Sequence, residues 1–191
     1  MKQLKMICCM RNIPQMNIED GYKIRMYKPG DEAVWTEICK NGLLSENDGI
    51  ECWEKCMLSE KTLVPEKDVF FVCDQNGSEI ATCTAFVNEN GYGFMHMLAA
   101  KPEARGHGLG YAMTAFSLAK LDKELTEDKR LVFLTTDDWR ISAVKAYLNA
   151  GFQPVLYDVD MDKRWKAVCE KLDIHGVEML YENGESAGIV L

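Results

Sequence analysis

The sequence predicts a single α/β domain of the α+β type, in which a mixed, mostly antiparallel sheet carries helices on its faces. Three observations lead there. Short apolar or alternating runs of strand length recur along the chain, interleaved with segments of helical periodicity. The Asn76-Gly77 pair lies between two apolar runs, a hairpin signal that makes at least one strand pair antiparallel. The chain has 191 residues and 47% hydrophobic composition, which supports one sizeable core; at roughly 150 residues per domain it falls short of two.

Residues 1–20 show no clean periodicity and read as an N-terminal extension or a loosely held strand. The main domain spans 21–159, and 160–191 adds a C-terminal helix and a hairpin packed on the same domain. Gly21–Tyr27 alternates polar and apolar residues like a half-buried strand, and Lys28-Pro29-Gly30-Asp31 supplies a turn whose Asp can cap a helix over Glu32–Lys40. Asn41-Gly42 stops that helix, a polar loop runs to Gly49, and a second helix covers Glu51–Leu58. Val69–Cys73 and Ile80–Val87 form the hairpin, and after Asn88–Gly91 a further strand runs from Tyr92 to Ala100. A long helix then carries Ala112, Ala115, Phe116, Ala119 and Leu125 on one face. Leu131–Thr136 reads as a buried strand, Ser142–Ala150 as a helix ended by Gly151, Val155–Val159 as a strand and Asp162–Leu172 as a helix. Asn183-Gly184 marks the turn of the last hairpin.

Composition narrows the function classes. With 22 basic and 30 acidic side chains the formal charge is -8, which argues against nonspecific nucleic-acid binding and mildly against acidic substrates. The eight cysteines, at 8, 9, 39, 52, 56, 73, 83 and 169, have no even framework and read as reduced thiols. No Cys-x-x-Cys pair or His-Glu-x-x-His pattern occurs, so no metal site is expected. Arg11 interrupts the short apolar start before it reaches signal-peptide length, and no apolar run approaches a membrane span, so a cytoplasmic location with no membrane partner is expected. A homodimer is compatible with everything above.

One loop carries chemistry. Arg105-Gly106-His107-Gly108-Leu109-Gly110 falls between a strand and a long helix, where unpaired amides and the positive end of the helix dipole suit a pyrophosphate. Glycines let the backbone come close and take positive φ, while Arg105 and His107 add donors. Taken alone, the loop also fits a glycine-rich helix start that binds nothing. It is not a P-loop, because no Lys-Ser or Lys-Thr follows the glycines, and its last spacing differs from the Gly-x-Gly-x-x-Gly dinucleotide fingerprint.

Residues 92–152 resemble the acyl-CoA-dependent N-acetyltransferase superfamily called GNAT. Arg105-Gly106-His107-Gly108-Leu109-Gly110 fits the family's Arg/Gln-x-x-Gly-x-Gly/Ala loop, preceded by Leu98–Ala104 as the strand-to-loop stretch. Ala143–Phe152 matches a second motif, in which Ala is followed by Tyr147 and then by Gly151-Phe152. More weakly the resemblance extends over the element order from Tyr22 to Val159. The family often has Asn seven positions before the Tyr, where this chain has Arg140; a contact to a CoA phosphate or a solvated residue at the helix start are both open.

The resemblance implies a sheet whose central parallel strands splay to admit acetyl-CoA as acyl donor, and transfer of acetyl to a primary amine of a small molecule or peptide by direct attack in a ternary complex. It assigns the backbone of Met97, Leu98, Ala99 and Ala100 to pantetheine and the thioester carbonyl, the loop Arg105, Gly106, His107, Gly108, Leu109 and Gly110 to the pyrophosphate, and Tyr147 to protonating the departing sulfur. Tyr147 can equally be a residue packed with Ala143 and Phe152. The base is open among His96, Glu89, Asp137 and Asp138; the last two also suit capping of the helix near Trp139. Trp53 lies where the family commonly places its acceptor. A noncatalytic acyl-CoA-binding or regulatory module is the alternative, and a nucleotide-binding protein is a third reading disfavoured by the glycine spacing.

Overall fold

The computed structural model describes residues 2–191. Seven strands form one mixed sheet, in the order β2-β3-β4-β5-β6-β1-β7. They are β1 (Leu4–Cys8), β2 (Lys23–Met26), β3 (Val69–Cys73), β4 (Glu79–Val87), β5 (Gly93–Ala100), β6 (Val132–Thr136) and β7 (Gln153–Pro154). All neighbours are antiparallel except β5 and β6. A separate hairpin, β8 (Glu178–Leu180) with β9 (Ser186–Val190), closes the chain and meets the sheet through a bridge between Val155 and Leu180.

Helices cover both faces, which is why β3 is apolar throughout instead of alternating. On one face α1 (Glu32–Cys39) and the short α2 (Glu51–Trp53) pack Trp35, Ile38 and Trp53 against Val69, Phe71 and Phe86. On the other, α4 (Leu109–Asp122), α5 (Ile141–Asn149) and α6 (Met161–Leu172) pack against Phe70, Val72 and Met95. Successive β3 residues thus go to opposite cores, as the period of two demands. The helix α4 is buried nearly all round, and its Lys120 reaches back to Asp68 Oδ1 (2.9 Å), the Ala85 carbonyl (2.8 Å) and Glu124 Oε2 (3.1 Å). Asp68 closes the one-turn helix α3 (Pro65–Asp68).

Several expectations are corrected. Where the sequence suggested an extension or a loosely held strand, β1 pairs on both edges, with β6 and β7, and Leu4, Met6 and Ile7 are fully buried. A five-residue strand cannot show its burial when both of its partners lie more than 120 residues away. Asp31 does not cap α1; its carboxylate binds Arg25 Nη1 (2.6 Å) and the Lys28 amide (2.7 Å), which ties β2 to the start of α1. The second helix changes hand-off after one turn, with Glu54–Leu58 wound as a π-helix. No strand forms over Val155–Val159: the pairing ends at β7 with a lone bridge at Val155, whose amide bonds Lys5 while the Leu156 amide turns to Leu180. All eight cysteines are free.

Candidate active site

The sheet opens at the only parallel pair. β5 and β6 pair at Gly93 with Val132 and at Phe94 with Phe133, and beyond those two rungs they diverge. The gap is a narrow cleft, walled by Met95–Leu98 on β5, Leu134–Thr136 on β6, and Arg140, Ala143 and Tyr147 from the start and body of α5. Gln3 and Leu43, remote in sequence, complete it.

A bulge shapes the β5 wall. Thr82 pairs with Ala99 and Thr84 with His96, so Cys83 alone faces both Met97 and Leu98, and Met97 takes φ +51°. The extra residue resets the alternation: Phe94 and Met97 pack on the α1 side, whereas Met95, Leu98 and Ala100 pack on the α4 side. It also bends backbone out of the ladder beside the cleft. A non-glycine left-handed residue here carries no signal in the sequence.

After β5 the chain runs through a single 3₁₀ turn, Pro102–Ala104, into α4. Gly106 and Gly108 have φ +86° and +66°, and a Cβ at either would meet nothing within 4 Å, so their requirement is conformational. Gly110 differs: its Cβ would lie 3.6 Å from Ala146, at the α4–α5 contact. Gly108 is the N-cap of α4 without a side-chain cap, so the first-turn amides stay open toward solvent. Leu109 is buried and contributes only its backbone, and Arg105 is exposed. His107 Nδ1 lies 2.9 Å from Glu19 Oε2, and its ring sits 5.3 Å from that of Tyr22, so a segment from before β2 braces the loop.

Tyr147 is buried, lines the cleft and packs edge-on to Phe152. Burial pushes its hydroxyl well above the usual phenol range, with Cys83 adding to the rise and Arg140 opposing it. Of the four base candidates, His96 alone lines the cleft. Its Nε2 lies 2.9 Å from the Cys56 carbonyl, which can only accept, so Nε2 carries the hydrogen and Nδ1 presents a lone pair. Burial lowers its pKa and keeps the ring neutral. The other three are engaged: Glu89 with Lys61 in the β4–β5 turn, Asp137 with Arg140, and Asp138 with Arg164. Neither aspartate caps α5, whose N-cap is Arg140. Arg140 itself is no solvated surface residue, because it faces the cleft and binds the Gly42 carbonyl. Trp53 stacks on Tyr27 inside the α1 core and does not line the cleft.

Residues 35–152 match the acetyltransferase (GNAT) family, and the chain belongs to that family of acyltransferase enzymes. It is 27% identical over 152 residues to a mycothiol acetyltransferase of Thermomonospora curvata, covering 77% of this chain and 49% of that protein. The chain spans about half the length of the curated relatives it matches. Among solved structures it is similar to a GCN5-related N-acetyltransferase from Sphaerobacter thermophilus, with TM-score 0.65, 20% identity, and coverage of 79% of this chain and 47% of that one. An acetyltransferase of the GNAT family from Staphylococcus aureus gives TM-score 0.51 at 14% identity, covering 67% and 81%. Among the described residues no cluster of His, Cys, Asp or Glu could hold a metal ion, and no helix is long and apolar enough to cross a membrane.

Proposed function

We propose that this protein is an N-acetyltransferase that moves the acetyl group of acetyl-CoA to a primary amine of a small molecule or peptide by direct attack in a ternary complex. The observation that carries the reading is the continuity of one strand, one loop and one helix: the bulged wall of β5 leads straight into the Gly106–Gly110 cradle, so a molecule with a phosphate end and a thioester end spans both. Bound acetyl-CoA supplies an activated acyl group. The open amides of Gly106–Gly110 suit its pyrophosphate, and the backbone of Met97 and Leu98 at the bulge suits the pantetheine chain and the charge that grows on the carbonyl oxygen. Ala99 and Ala100, one step further along β5, pair with Thr82 and Ala81 and extend the same wall.

His96 is suited to take a proton from the amine through Nδ1, being neutral, oriented and beside the cleft. Tyr147 is suited to give one to the departing sulfur, since burial keeps its hydroxyl protonated far above neutral pH. The net charge of -8 does not describe the cleft, which no carboxylate lines.

Thermal shift with acetyl-CoA, NAD and ATP tests the donor, and mass-spectrometric detection of acetylated product over an amine panel, with a mycothiol-type acceptor included, tests the acceptor. Stabilisation by a nucleotide but not by CoA overturns the reading. Binding of acetyl-CoA without turnover of any amine would favour a noncatalytic acyl-CoA-binding module. Tyr147→Phe should lower kcat by about 10²–10⁴-fold with little loss of CoA affinity.

A further inference from the structure

Arg140 is the one cleft-lining side chain with a fixed charge among the described residues. It is held from three sides: Nε donates to Asp137 Oδ2 (2.8 Å), Nη2 to the Gly42 carbonyl, and the guanidinium lies 4.3 Å over the Trp139 ring. Its side chain is only 20% exposed, and Nη1 has no hydrogen-bond partner among the described residues. Arg140, at the N-cap of α5, and Tyr147, in the body of the same helix, line one cleft. Burial raises the Tyr147 hydroxyl and Arg140 opposes that rise, as a cation within electrostatic reach must.

The geometry points to Arg140 as a positioning residue for the transfer step, a fixed cation that stabilises the negative charge passing through Tyr147 as the thiolate is protonated. This rests on the reading of Tyr147 as acid. In that step the amine nitrogen bonds to the acyl carbon, the C–S bond breaks, and sulfur keeps the pair and takes the Tyr147 proton; the phenolate then recovers a proton released by the amine through His96 or solvent. A buried phenolate is costly, and the groups around it otherwise do not help: Cys83 on β4 opposes its charge, His96 on β5 is neutral, and Asp137 is already bound to the guanidinium. Arg140 alone favours it. Because Asp137 stays paired with the guanidinium and offsets part of its field, the expected rate factor is about 2–10, the lower range of coupling between residues in one network.

The test is a double-mutant cycle on the full chain, with kcat measured at saturating acetyl-CoA and CoA affinity measured by calorimetry. Arg140→Met should lower kcat about 2–10-fold with CoA affinity nearly unchanged, Arg140→Lys should recover most of the loss, and in a Tyr147→Phe background Arg140→Met should cost no further rate. Equal losses in both backgrounds overturn the inference, as does failure of Lys to outperform Met. If Arg140→Met does not fold, Arg140→Gln and Arg140→Lys carry the same comparison. A Tyr147→Phe enzyme of full activity defeats the acid assignment itself, whereas a slow Tyr147→Phe with additive Arg140 variants defeats the inference alone.

Discussion

The two kinds of glycine in the cradle separate under one small substitution. Gly108 has φ +66° with open space at its Cβ position, so Gly108→Ala meets no atom but must hold a left-handed backbone at about 1–2 kcal/mol. For a chain of this size that lowers Tm by about 2–8 °C. Gly110 is a helical residue with Ala146 at ordinary contact distance of 3.6 Å, so Gly110→Ala should leave Tm unchanged or raise it, because Ala is better than Gly in a helix by about 0.5–1 kcal/mol. Gly108→Asn should lie between the two, since Asn tolerates the left-handed region. Thermal unfolding by circular dichroism reads all three, and calorimetry with CoA reads Gly108→Glu. A carboxylate about 4 Å from the pyrophosphate at an effective dielectric near 20 opposes binding by about 4 kcal/mol, a factor of about a thousand in Kd. Equal melting losses for Gly108→Ala and Gly110→Ala would refute the conformational reasoning. CoA binding by Gly108→Glu within tenfold of the parent would refute the cradle.

Three further outcomes follow from the packing and the charges. Lys120→Met strands the buried Asp68 carboxylate and should cost about 3–5 kcal/mol in denaturant unfolding, whereas adding Asp68→Leu should recover part of the loss; an unchanged midpoint contradicts the buried-pair reading. Because the base must be neutral and burial lowers the pKa of His96, the ascending limb of kcat/KM should lie below the ordinary imidazole value of about 6.5, with activity held as pH rises through neutrality, and His96→Gln should abolish that limb. A limb at or above that value excludes His96. Ile7→Ala should cost about 2–5 kcal/mol, the scale of a core strand, where a surface extension would lose less than about 0.5.

Much of the fold was readable because it is written in local chemistry. Asn76-Gly77 closes the β3–β4 hairpin with Gly77 at φ +84°, and Gly151 ends α5 at φ +95°, each where a residue without Cβ is needed. The glycine spacing from Arg105 to Gly110 marked the start of α4, where Gly106 and Gly108 take positive φ. Elements whose stability comes from distant partners were less legible. β1 is short, and Asp31, Asp137 and Asp138 looked like caps until Arg25, Arg140 and Arg164 claimed them. A carboxylate near a helix start offers the same letters whether it caps or pairs, and a buried or half-buried arginine wins because a charge-assisted pair exceeds a cap.

By itself the sequence determined the class of fold, the glycine-rich start of α4 and the helix that carries Tyr147, because these are signalled by local periodicity and turn residues. Only the tertiary structure decided where the sheet splits, that Met97 bulges, that His96 lines the cleft while Glu89, Asp137 and Asp138 do not, and that Arg140 faces the same cleft as Tyr147. Those facts depend on contacts between residues many tens of positions apart, Gly42 with Arg140 and Cys56 with His96 among them, and such contacts leave no periodic trace along the chain.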